Sequence, residues 1–219
     1  SCSDGPVGDS GGVGVSKANE AVFEDAITQH LVERGGYLTC KRGVGQQGPA
    51  DFDAVAGVDT AELFAFIGAT QAKEWDGLIK HHGGDPGVAQ RKFVARLAQQ
   101  IDDRGTLDVL RHGVMDGPAT IKLAFFKPAH NLTAELTARY EANRLTVTRQ
   151  LAYDTATNKT LDLCLFVNGI PVATAELKNP LTGQGVEHAI VQYRTDRDPK
   201  NVTLGRRALV HFAVDPERV

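Results

Sequence analysis

A chain of 219 residues, 42% hydrophobic and 23% charged, is long enough to bury a sizeable core and has the balance of an ordinary globular domain. Its formal charge of −3 excludes a general attraction to nucleic acid, so any DNA contact must use a local patch. No apolar run approaches the roughly 18 to 20 residues that cross a bilayer, no signal peptide opens the chain, and Cys2, Cys40 and Cys164 stand far apart without CxxC spacing. These features exclude a membrane helix, a disulfide framework and a zinc site, and a cytoplasmic location is expected.

Residues 1–16, SCSDGPVGDSGGVGVS, are rich in Gly, Ser and Asp and read as a flexible tail, leaving 17–219 as the folded domain. Within the tail, GDSGG has the outline of a serine-protease nucleophile loop, but nothing upstream supplies a histidine base. GGVGVSK lacks the GxxxxGK[ST] spacing of a phosphate loop and follows no strand.

From Lys17 to Arg34, Val22, Phe23, Ala26, Ile27 and Leu31 repeat at helical spacing, Gly35-Gly36 supply a stop, and Glu20 and Glu24 share one face. YLTC then reads as a short strand, followed by a polar loop to about residue 50. Residues 60–103 read as two or three helices broken at Gly83-Gly84-Asp85-Pro86, an insertion or cap on the main domain. Trp75 and Phe64 lie at helical spacing with Leu63, Ile67, Leu78 and Ile79 and are expected in a core, whereas His81-His82 are expected at the surface. ATIKLAFF (119–126) alternates as a strand, and Leu132, Leu136 and Tyr140 make a helix stripe. Strands are predicted over 144–153, 161–167, 171–178 and 207–214, with a helix over 186–196. This order predicts one α/β domain with a mixed central sheet flanked by helices.

Asn168-Gly169 between two apolar runs is a strong hairpin signal. A two-residue loop pairs 167 with 170 and sends Asp162 and Glu176 to opposite faces. A three-residue loop pairs 167 with 171, and Asp162, Glu176 and Lys178 then share a face. The second register is preferred because it leaves Leu161, Leu163, Leu165, Val167, Ala173, Ala175 and Leu177 as a wholly apolar opposite face. Two carboxylates directly opposed on adjacent strands repel unless a cation neutralises them. Magnesium suits the task, taking one or two carboxylates and keeping waters or phosphate oxygens. A lysine one alternation away can hold the attacking water or stabilise charge developing on phosphorus. Glu20 or Glu24 could complete the ligand shell, and the set can perform metal-assisted phosphodiester hydrolysis.

Asp162, Glu176 and Lys178 have the D…ExK arrangement of the PD-(D/E)xK nucleases, so the fold expected is restriction-endonuclease-like. RYEANRLTVTRQLAYD, LDLCLFVNGIPVATAELKNPLTGQ and AIVQYRTDRDP together resemble the amino-terminal nuclease domain of the motor (R) subunit of type I restriction endonucleases. The resemblance covers residues from about 17 to 215. It implies Mg²⁺-dependent cleavage of double-stranded DNA after translocation by an ATP-driven motor carried later in the same polypeptide. ATP would then act only through those motor domains, and the partners would be modification (methyltransferase) and specificity subunits. The chain, whose only methionine is Met115, is accordingly expected to be part of a longer subunit.

Carried over by position, the resemblance makes Asp162 and Glu176 metal ligands, with the carbonyl of Leu177 as a further one. Lys178 becomes the catalytic lysine, and Glu24, in preference to Glu20, the first-helix glutamate near the metal. Gln192 matches the glutamine of a QxxxY motif. Position 196 is Asp, however, and the nearest tyrosine is Tyr193, which leaves that tyrosine without a clear equivalent. Arg194 and Arg197, with Lys200, Arg206 and Arg207 beyond, form a basic run expected to contact DNA phosphates. Two other classes stay open: a non-catalytic DNA-binding or motor-docking module of the same fold, and an unrelated phosphohydrolase with a closed pocket for a small substrate.

Overall fold

The computed structural model describes residues 12–39, 51–129, 134–157, 159–178 and 185–216, with side chains from residue 21 onward. Helix α1 spans Gly12–Gly35 and so begins inside the segment expected as a tail. Once a helix is nucleated each further residue adds a hydrogen bond at little cost, which lets it run back into a weak helix-forming sequence. Phe23, Ile27 and Leu31 of its predicted stripe pack on Val147, Leu163 and Leu177, while Val22 is exposed. Gly36, at φ +71°, ends the helix and turns the chain into strand β1, Leu38–Thr39.

Strands β2 (Phe52–Asp53) and β3 (Val58–Asp59) form a small ribbon that leads into four helices: α2 (Thr60–Thr70), α3 (Ala72–His81), α4 (Pro86–Arg104) and α5 (Thr106–His112). Asp59 and Asp85 cap α2 and α4 by accepting the N–H of Glu62 and Val88, and Pro86 starts α4 where its missing N–H costs nothing. Leu63, Phe66, Ile67, Leu78, Phe93, Leu97 and Ile101 make a core that Ile170 and Val172 of the main sheet also enter, with Phe64 and Trp75 packed at its edge as expected. His82, by contrast, is not a free surface group: its Nε2 meets Asp116 Oδ2 at 2.9 Å.

The strand expected over 119–126 is much shorter. β4 (Val114–Asp116) and β5 (Ala119–Ile121) form a separate two-stranded ribbon, and beyond Ile121 side-chain amides replace a neighbouring strand. Gln71 donates to the carbonyl of Lys122 at 2.8 Å and accepts its N–H at 2.6 Å. Asn143 does the same for Phe125, at 2.6 and 3.1 Å. Helix α6 (Ala134–Glu141) buries none of its residues, and its stripe residues Leu136 and Tyr140 face solvent.

The main sheet has the order β1, β6 (Leu145–Ala152), β7 (Thr160–Val167), β8 (Ile170–Leu177), β9 (Val210–Val214). The outer strands run parallel to their neighbours and the three central ones are antiparallel, so the sheet is mixed. One face is covered by α1. The other is covered by Tyr193 and Leu204 from the segment between β8 and β9, packed near Cys164 and Phe166. That segment holds α7 (Val186–Val191) and two π-helical turns, Gln192–Asp196 and Thr203–Arg207, where one continuous helix is expected over 186–196.

Two buried polar anchors join the helical part to the sheet. Asn168, at the β7–β8 turn, donates to the Leu123 carbonyl at 2.8 Å and to Asn143 Oδ1 at 2.9 Å, and accepts the Arg144 N–H at 2.6 Å. Arg207, 1% exposed, donates to the Ala56 carbonyl and to Asp102 Oδ1, both at 2.7 Å. It is therefore an internal strut and not part of a basic surface. Among the described residues no helix is long and apolar enough to cross a membrane.

Candidate active site

The geometry of the site begins at the β7–β8 turn. Asn168 and Gly169, at φ +50° and +81°, form a two-residue turn that pairs Val167 with Ile170, not the three-residue loop expected. A β-bulge beside Phe166 then absorbs one residue, Val172, and the ladder continues with Leu165 opposite Ala173 and Leu163 opposite Ala175. Pro171 has no N–H for the ladder and sits beside the bulge, where such a residue is tolerated within a central strand. The shift puts Asp162 across from Glu176, as expected, though by turn plus bulge instead of a longer loop.

Glu176 is wholly buried. Its Oε1 accepts two N–H groups of Arg197, from Nε at 3.0 Å and Nη2 at 2.5 Å, while its Oε2 is buried with no donor. Burial pushes the Glu176 carboxyl up to about 8, the facing Asp162 carboxylate pushes it the same way by its charge and by accepting the shared proton, and Arg197 opposes both. Arg197 is thus not the surface cation expected to meet DNA. It is 7% exposed and lies inside the site, held also by the Thr160 carbonyl at 2.6 Å and the Tyr153 hydroxyl at 3.3 Å.

Asp162 is fixed from two sides. Its Oδ2 accepts the Leu177 N–H at 2.8 Å and its Oδ1 the Gln150 amide at 3.1 Å. The N–H and C=O of an extended residue point to the same neighbouring strand, so the Leu177 carbonyl, proposed as a ligand, lies on the Asp162 side. Its side chain packs against α1. Glu24, 5% exposed, accepts the same Gln150 amide at 2.5 Å and Arg149 Nε at 3.2 Å. Burial raises its carboxyl above the usual range, and the charge of Asp162 adds to the effect. Glu24 therefore reaches the site, but with an amide between it and Asp162. Among the described residues no three acidic, His or Cys side chains gather into a metal-holding group. The side chain of Glu20 lies outside the described residues.

Lys178 and Gln192 line one hollow of about 490 Å³ together with Glu187, His188, Val191 and Asp196. Tyr193 does not enter it: its hydroxyl is 2.7 Å from Thr174 Oγ1, its ring stacks near His211, and burial holds the phenol well above its ordinary range. Arg194 is exposed on the π-helical turn. Gln150 and Arg149 were not foreseen as site residues. Their signal is a lapse in alternation, since three consecutive polar residues, Thr148, Arg149 and Gln150, interrupt the period of LTVTRQLA.

The donor set of the pair is all oxygen, and no N–H reaches one of its buried oxygens, Glu176 Oε2. These residues fit a hard divalent cation that takes two carboxylates and fills its remaining positions with water or phosphate.

A mixed five-stranded sheet, helices on both faces and opposed carboxylates followed by a lysine define a restriction-endonuclease-like domain. A family model described as "Type I restriction enzyme R protein N terminus" matches residues 95–217, more than half of the chain. The chain belongs to that family. No curated protein and no solved structure matches it.

Proposed function

We propose that this domain is the Mg²⁺-dependent endonuclease of a cytoplasmic type I restriction enzyme R subunit. It would hydrolyse DNA phosphodiester bonds after duplex DNA has been translocated by ATP-driven motor domains of the same subunit. The observation that carries this reading is the carboxyl pair itself: Glu176 is wholly buried, no N–H reaches its Oε2, and the group faces Asp162. A docking or DNA-binding module has no use for two carboxyl groups held against each other in the interior, where ionising both is costly.

Asp162 and Glu176 would hold the cation, with the Leu177 carbonyl beside them. The ion, when bound, supplies charge stabilisation at the scissile phosphate and makes water more acidic. Lys178 holds and orients the attacking water by its ammonium, and Gln192, across the same hollow, positions Lys178 or the DNA strand. Glu24 acts through the Gln150 amide, which it shares with Asp162. Arg194 meets backbone phosphate. Modification and specificity subunits would complete the complex and choose the DNA sequence.

The test is cleavage against ATP hydrolysis in the assembled restriction complex. Asp162→Ala should abolish DNA cleavage while ATP hydrolysis continues. Cleavage that persists, or ATP hydrolysis lost together with it, would remove Asp162 from the chemistry.

A further inference from the structure

We infer that Arg197 is a positioning residue: it grips one oxygen of Glu176 and thereby presents the other, Oε2, to a divalent cation shared with Asp162. This rests on the reading of the pair as a cation site.

Arginine normally meets a carboxylate fork to fork, with two parallel N–H bonds to two oxygens. Here both donors converge on Oε1, at 3.0 and 2.5 Å, and no N–H reaches Oε2. The cause lies in what else holds the guanidinium. Nη2 also donates to the Thr160 carbonyl at 2.6 Å, Nη1 donates to the Tyr153 hydroxyl at 3.3 Å, and Cζ lies 5.4 Å from the centre of the Tyr153 ring. These contacts hold the guanidinium to one side of the carboxylate, where its fork cannot take Oε2.

A counter-ion whose only task was to neutralise Glu176 would rotate to satisfy both oxygens, because a buried acceptor without a donor is unfavourable. The arrangement does the opposite. It spends two donors on one oxygen and leaves the carboxyl group's other oxygen to its neighbour Asp162, with which it shares a proton until a cation takes that place. The backbone delivers Arg197 to this place through the π-helical turn Gln192–Asp196, where the Arg197 N–H donates to the Gln192 carbonyl at 3.2 Å. Such widened turns inside helices recur at functional sites.

The test is Mn²⁺ binding to the full chain, read by electron paramagnetic resonance with a short DNA duplex present. The proteins compared are wild type, Glu176→Ala, Arg197→Met, Arg197→Lys and Tyr153→Phe, each checked for folding by circular dichroism. Arg197→Met should weaken Mn²⁺ binding by about tenfold or more, the range seen when the group behind a metal ligand is removed. Arg197→Lys should stay weak, since an ammonium keeps the charge but not the fork. Tyr153→Phe, which frees one corner of the guanidinium, should fall between wild type and Arg197→Met. If Arg197→Met does not fold, the lysine and Tyr153→Phe variants decide.

Binding unchanged or tightened in Arg197→Met would overturn the role, since removing a mere neighbouring charge would help a cation. Wild-type binding in Arg197→Lys or Tyr153→Phe would overturn it as well, showing charge without geometry. Equal Mn²⁺ binding by wild type and Glu176→Ala would mean that the pair holds no cation. The reading of the site would then fail, and the role of Arg197 with it.

Discussion

Leu177 donates its backbone N–H to Asp162 Oδ2 at 2.8 Å, so the strand that carries Glu176 and Lys178 is fastened directly to the other carboxylate. The bond lies just beyond the paired part of the β7–β8 ladder and extends its register to the site. A carboxylate tied to backbone keeps its place whether or not a ligand is present, which is the preorganisation that charge stabilisation in a reaction requires.

Glu176 makes stability depend on pH in a defined direction. Its carboxyl is raised from 4.5 to about 8 on folding, so the folded state holds this proton more tightly than the unfolded chain. The resulting stabilisation is fully present below about 4.5 and is lost as pH rises through about 8. In metal-free buffer the unfolding free energy, measured by urea denaturation, should therefore fall across that window by on the order of a few kcal/mol. Glu176→Gln should flatten the fall, and a slope identical to wild type would place the proton elsewhere.

Lys178 and Gln192 share a hollow but should not share a magnitude. Lys178→Ala is expected to lower DNA cleavage by about 100-fold or more, as for loss of a group that acts on developing charge. Gln192→Ala is expected to cost about tenfold, as for a supporting group. Single-turnover cleavage by the assembled complex measures both. Equal losses would mean that the two act as one unit.

Glu24 is buried and bonded to Gln150 and Arg149, so Glu24→Ala should impair cleavage by about tenfold and more than Glu20→Ala does. Gln150→Ala should resemble Glu24→Ala, because the Gln150 amide is the link between that glutamate and Asp162. Equal activity in Glu24→Ala and Glu20→Ala would remove α1 from the site.

The hairpin tip admits no side chain at Gly169. Its φ is +81°, and a Cβ there would lie 2.2 Å from the Asp59 carbonyl oxygen and 2.8 Å from the Leu63 nitrogen. Gly169→Ala should destabilise the domain by about 2 kcal/mol or more, measured by urea denaturation. A change within experimental error would show that the turn can move away from α2.

The carboxylate pair and its lysine were legible because polar residues stand out in apolar strands, and Asn-Gly announces a turn. The bulge was less visible, although Pro171 in a central strand marks the place where the ladder gives way. Arg197 was misread because arginine is mostly a surface residue and its partner lies 21 positions away in sequence. The strand expected over 119–126 failed for another reason. Gln71 and Asn143 occupy the positions a neighbouring strand would fill, and nothing local in ATIKLAFF reveals such distant amides. Gln150 adopts φ +49°, a conformation uncommon for a residue with a side chain, and only the lapse in alternation hints at it.

The π-helical turn between Gln192 and Arg197 ties the length of this segment to the electrostatic balance of the site. Removing one residue from it would let the arginine N–H take the same Gln192 carbonyl as an ordinary α-helical bond, and the guanidinium would stay beside Glu176. Tightening the turn to α-helical spacing at unchanged length would instead carry Arg197 further around the helix axis and leave Glu176 without its counter-ion. The wide turn therefore takes up a surplus residue between the two ends of the site. Relatives one residue shorter here are expected to keep the arginine on a continuous α-helix.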